Sequence, residues 1–142
     1  QLGKKIVIIG GGLVGCELGI HLAETGHEVS ILEMRPELAP DAYRLHRVML
    51  LDQLSQKVTT YTGLRCTGMD TSGVTAADAD GNIKVLPADT IVYAMGMRAN
   101  SGVVAEIQQL AGDIPVSVIG DCKQAGKIIE ATKNAYDAVL AL

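Results

Sequence analysis

Residues 5–17 constrain this chain more than any other stretch. They read Lys-Ile-Val-Ile-Ile-Gly-Gly-Gly-Leu-Val-Gly-Cys-Glu, an apolar run passing into a glycine turn that opens a helix. Gly10, Gly12 and Gly15 give the spacing G-x-G-x-x-G, and the next apolar run, Val29-Ser30-Ile31-Leu32, ends in Glu33. A glycine triplet alone is a weak signal. Between a strand and a helix, with an acid about 20 residues further on, it predicts a βαβ unit that binds a dinucleotide.

Each part of the motif has a chemical reason. Gly10 permits a tight turn out of the strand, and Gly12 lets backbone approach a pyrophosphate with no Cβ in the way. Gly15, with Gly19 one turn later, lets the helix sit close on the sheet. The first N–H groups of the helix lack intrahelical acceptors and point at the diphosphate, backed by the positive end of the helix dipole. Gly10, Gly11, Gly12, Leu13, Val14 and Gly15 are therefore the candidate pyrophosphate turn. Glu33 is the candidate ribose acceptor. Its charge disfavours the 2′-phosphate of NADPH and predicts NADH. Met34 and Arg35 follow at the same strand end; Arg35, like Arg98, either pairs with phosphate or stays solvated.

A length of 142 residues suits one domain with a full core, or one domain and part of another. Hydrophobic residues make up 48%, yet there is no Phe or Trp and there are only four Tyr. Val, Ile, Leu, Met and Ala are expected to fill the core, as in buried parallel sheets. A net charge of −4 gives no electrostatic reason to expect nucleic acid or an anionic membrane as partner. No apolar run approaches the roughly 18 residues of a membrane span and no signal peptide precedes the first strand, so a cytoplasmic protein is expected. Cys16, Cys66 and Cys122 lack C-x-x-C spacing and are expected to be buried, reduced thiols. His21, His27 and His46 are read as structural, and no residue is assigned a catalytic role.

The periodicity predicts a strand at 6–9, a helix at 13–25 with Val14, Leu18 and Leu22 as its apolar stripe, and a strand at 28–32. Gly26 is placed to end that helix in a left-handed conformation. A helix over 41–55 follows Pro40, then a strand at 58–61. Segments 64–70, 73–78 and 82–86 leave no room for helices, and Asp80-Gly81 marks a hairpin, so an antiparallel three-stranded meander replaces a crossover helix. A strand at 90–95, a helix at 103–110, a strand at 116–119 and a helix at 127–142 complete the chain. The expected fold is α/β: a Rossmann-like, three-layer β-β-α arrangement with a parallel sheet.

The glycine turn with Cys16, Glu17, Leu18 and Gly19, then Glu33, the meander and Tyr93-Ala94-Met95-Gly96-Met97-Arg98-Ala99-Asn100 resemble the NAD(P)H domain of two-dinucleotide-domain flavoprotein reductases. That family usually has Pro where this chain has Ala99. Ile119-Gly120-Asp121-Cys122 and the Ala-rich final helix resemble the carboxyl end of the family's FAD domain. The Gly-Asp-Cys form, with Lys127-Ile128-Ile129-Glu130-Ala131 behind it, is most similar to NADH:flavin oxidoreductases of the 2-enoate and 2,4-dienoyl-CoA reductase type.

The resemblance implies NADH around Gly10–Gly15 and Glu33, with Glu17 at the nicotinamide end. The alternative for Glu17 is a first-turn acid favoured by the helix dipole. Met95 and Gly96 would line the cofactor crevice, or form an ordinary strand-to-loop exit. Asp121 would meet the ribityl or pyrophosphate part of FAD. One glycine fingerprint is present where a flavin domain needs its own, so flavin (FAD or FMN) is expected in a full-length parent rather than on this chain. Residues 1–100 are then an NADH-binding domain, and 101–142 resemble the end of a FAD-type domain. The apolar surface of the final helix (Ile128, Ile129, Ala131, Ala135, Ala138, Val139, Leu142) is expected to meet missing flavin-containing domains or a second copy. A regulatory NAD-sensing module that gates a transporter and a methyltransferase are the competing readings.

Overall fold

The computed structural model describes residues 1–141. They divide into two compact units, Gly96 closing the first and Met97 opening the second.

In the first unit, β1 (Lys5–Ile9), α1 (Leu13–Glu24), β2 (Glu28–Leu32), α2 (Arg44–Lys57) and β3 (Thr59–Tyr61) alternate as expected for parallel pairing. The chain then runs through β4 (Arg65–Asp70), β5 (Gly73–Ala77) and β6 (Ile83–Pro87) before β7 (Thr90–Tyr93). One sheet has the order β3-β2-β1-β7, with every neighbour parallel. The other is the antiparallel meander β4-β5-β6. Alternation along β1 splits the core. Ile6 and Ile8 pack with Cys16 and Ile20 of α1 and Leu50 and Leu54 of α2, while Val7 and Ile9 pack with Val74, Ala76 and Leu86 of the meander. The three layers are meander, parallel sheet and helices, in agreement with the sequence.

Four expectations change. The buried face of α1 is Gly15, Cys16, Gly19, Ile20 and Leu22, whereas Val14 is exposed and Leu18 half-buried. The small residues set the contact line, because Ile31 Cδ1 occupies the space that a Cβ on Gly19 would need. Helix α2 starts at Arg44 rather than 41: Ala39, at φ +45°, turns the chain, and Ala42 N–H donates to the Ala39 carbonyl before the helix begins. All five methionines are exposed, since β-branched residues and leucines fill the layers around the sheet. Of the cysteines only Cys16 is buried; Cys66 is half-buried and Cys122 exposed.

The second unit holds α3 (Ser101–Ala111), a 3₁₀ turn (Gly120–Cys122) and α4 (Ile128–Leu140). Asn100 Oδ1 accepts the Val103 N–H at the start of α3. The strand expected at 116–119 does not form, because no other strand in this unit pairs with it. In α4, Ile128, Ile129 and Val139 are exposed, and no residue of this unit is buried among those described. Leu142, part of the expected final helix, lies outside the described residues. Among the described residues no helix is long and apolar enough to cross a membrane.

Candidate functional site

Strand β1 lies between β2 and β7, and the chain visits these neighbours on opposite sides of it. Open α/β sheets bind ligands at the carboxyl ends beside such a switch. The glycine turn leaves β1 there. Gly10, at φ +115°, donates its N–H to the Leu32 carbonyl at 2.8 Å, and a Cβ on it would sit 2.3 Å from the Ala94 carbonyl oxygen. A Cβ on Gly15 would sit 2.0 Å from the Gly10 carbonyl oxygen, so the first turn of α1 rests directly on the loop. One on Gly11 would meet Leu38 Cδ2 at 2.3 Å.

Gly12 is different. Its φ of −68° is open to any residue, and a Cβ there would have nothing within 4 Å. No contact within the protein explains glycine at this position, whereas a ligand lying against the backbone would. Leu13 and Val14 follow as the first residues of α1, where N–H groups have no intrahelical acceptor. The cradle fits a diphosphate.

Glu33, 8% exposed, follows β2 beside this turn. Its Oε2 accepts the Gly11 N–H at 2.7 Å and its Oε1 accepts the Arg35 N–H at 2.8 Å. A carboxylate has about four acceptor positions, so ribose hydroxyls can still be accepted. The Arg35 guanidinium lies 3.9 Å from Glu33 and 3.8 Å from Asp41, and both Met34 and Arg35 are exposed. Met95 and Gly96 follow β7 at the same edge; Met95 is exposed and Gly96 has φ +85°. The first unit thus gathers Gly10 to Gly15, Glu33, Met34, Arg35, Met95 and Gly96 at one edge of the sheet.

Glu17 lies in the second turn of α1 rather than the first, is exposed, and its Oε1 is 3.7 Å from His46 Nε2. Asp121 belongs to the second unit, where its Oδ1 accepts the Gly126 N–H at 3.1 Å. Leu38 and Ala39, which carry no motif in the sequence, and Cys16, expected only as a buried thiol, also hold the turn. Leu38 packs on Gly11, Ala39 N–H donates to the Gly11 carbonyl at 2.7 Å, and the Cys16 thiol donates to the same carbonyl at 3.4 Å. Burial, reinforced by the charges of Glu33 and Glu17, pushes the Cys16 thiol up to about 11, so it stays protonated as a donor. Clefts also occur at the amino ends of the strands, near His27 and Lys57, and in the second unit, near Lys123 and Asp137. The glycine turn lines neither; the candidate site is an open edge.

A sequence profile of the pyridine nucleotide-disulphide oxidoreductase family matches residues 1–138. The chain belongs to that family. It is 36% identical over 141 residues to the bilirubin reductase of Mediterraneibacter gnavus, covering 97% of this chain and 21% of that protein. With the NADH oxidase of Thermoanaerobacter brockii it shares 35% identity over 136 residues, covering 94% of this chain and 20% of that protein. The solved structure of 2-naphthoyl-CoA reductase with 2-naphthoyl-CoA superposes with a TM-score of 0.76 at 26% identity, over 96% of this chain and 21% of that one. The chain spans about a fifth of the length of these two curated relatives. Domains of this family occur in flavin-dependent reductases, and the family works with NAD(P)H and flavin.

Proposed function

We propose that this chain is the NADH-binding domain of a flavin-dependent oxidoreductase of the enoate or dienoyl-CoA reductase type. In this reading it positions NADH for hydride transfer to a flavin held elsewhere in the full-length protein. The observation that carries the reading is the pairing at one sheet edge of the Gly12 cradle, which no protein atom fills, with the Glu33 carboxylate one strand away. Bound NADH supplies a hydride from its nicotinamide C4.

The chain's own residues bind and orient. The amides of Gly12, Leu13 and Val14 meet the diphosphate, with Gly10, Gly11 and Gly15 shaping the turn. Glu33 accepts the adenosine ribose hydroxyls, and Met34 and Arg35 border that end. Met95 and Gly96 line the crevice beside β1, and Glu17 faces the nicotinamide end. Residues 101–142, including Asp121, belong to the flavin side, and the flavin-containing domains are the partners; the relatives' five-fold greater length supports this.

Thermal shift with NADH, NADPH and S-adenosylmethionine tests the reading. NADH should raise the melting temperature most, and stabilisation by S-adenosylmethionine alone would overturn it. With NADH and an electron acceptor but no flavin domain, oxidation should not exceed background.

A further inference from the structure

The peptide joining Gly11 to Gly12 is held from the protein side by groups far apart in sequence. It is trans, like every other peptide described. In a planar trans peptide the carbonyl and the following N–H point in opposite directions. The Gly11 carbonyl points inward, accepting the Ala39 N–H at 2.7 Å and the Cys16 thiol at 3.4 Å. The Gly12 N–H therefore points the opposite way from the Gly11 carbonyl, and it has no acceptor among the described residues. The peptide before it is fixed as well, because Gly11 N–H donates to Glu33.

We infer that Cys16 and Ala39 are positioning residues that turn the Gly11 carbonyl inward so that the Gly12 N–H faces the diphosphate of the bound dinucleotide. The inference rests on the NADH-binding reading above. Ala39 is 1% exposed and holds φ +45°, a left-handed backbone that alanine disfavours and that its N–H bond to Gly11 helps to fix. Cys16 reaches the same carbonyl from the buried face of α1. The loop after β2 and the helix after β1 thus grip one carbonyl between them, and Gly12 N–H is preset before any ligand arrives.

The test uses the intact 142-residue chain and ADP-ribose, followed by calorimetry and by the Gly12 amide resonance in a ¹⁵N–¹H spectrum. Cys16→Ala should weaken ADP-ribose binding about fivefold, the worth of one hydrogen bond, and move the Gly12 resonance in the free protein. Cys16→Ser, which keeps a donor, should restore most of that affinity. Ala39→Val, whose β-branched side chain resists positive φ, should also bind ADP-ribose more weakly, and unchanged affinity in that variant would overturn the role of Ala39. Equal weakening in Cys16→Ala and Cys16→Ser would assign the effect to packing and overturn the inference. Binding by Cys16→Ala at unchanged affinity, with the Gly12 resonance unmoved, would overturn it too while leaving the NADH-binding reading intact. Failure of the unsubstituted chain to bind ADP-ribose would overturn both.

Discussion

Gly12 and Gly15 lie within one helical turn, but the molecule that excludes a side chain differs between them. At Gly15 it is the protein's own Gly10 carbonyl, 2.0 Å from a would-be Cβ; at Gly12 no protein atom stands within 4 Å. Gly15→Ala should therefore cost about 1–3 kcal/mol of stability through overpacking. Gly12→Ala should cost less than about 1 kcal/mol, an N-cap effect, yet lose most dinucleotide affinity. Denaturant midpoints and calorimetry with ADP-ribose separate the two. Glu33 combines both kinds of duty. Glu33→Ala leaves the buried Gly11 N–H without its acceptor and should destabilise by about 1–3 kcal/mol, besides relaxing the preference for NADH over NADPH. An unchanged ratio of the two affinities, measured on the folded variant, would show that Glu33 does not read the ribose. The glycine turn was legible as the corner between β1 and α1 because the spacing of its residues marks it. Ala39 was not, because a left-handed alanine carries no mark in sequence and its partner Gly11 is 28 positions away.

Among the elements, legibility followed the local signal. Strand β2 occupies the expected residues, and the meander appears where turn residues outnumber helix formers. The start of α2 was obscured because the Pro40 signal is overridden by the bond from Ala39 to Gly11, a tertiary contact. The expected strand at 116–119 has β-branched residues but no neighbour to pair with, and a strand needs one. The β5–β6 loop carries its own test. Asp78 Oδ1 accepts the N–H groups of Asp80 and Asn82, each at 2.9 Å, and its Oδ2 accepts the Asn82 side-chain amide. The Asn82 side chain, then its backbone N–H, hold the Asp78 carboxyl below the usual carboxylate range. Ser72 does the same for Asp70. Because the folded value is the lower one, this support is fully present above the unfolded value near 3.9 and is lost as pH falls through the folded value. Denaturation series from pH 6 to pH 3 should show stability falling below about pH 4. Asp78→Asn should flatten part of that fall; an identical acid limb in the variant would contradict this role for the loop.

Across the whole molecule, burial is unevenly shared. Ile6, Ile8, Ile31 and Leu32 are at most 1% exposed in the first unit, while no described residue beyond Gly96 is buried. Slow exchange tracks such burial. Amides of β1 and β2 should therefore exchange at the global unfolding limit, and those of α3 and α4 orders of magnitude faster; equal protection in the two units would contradict this division. The proposed binding of NADH at this sheet edge, with rejection of the 2′-phosphate, can be measured on the chain itself. Calorimetry of the intact chain with NADH and with NADPH measures it. NADH should bind saturably, with NADPH weaker by about tenfold, which is roughly 1.4 kcal/mol. Equal or tighter binding of NADPH, or no binding of NADH, would contradict it.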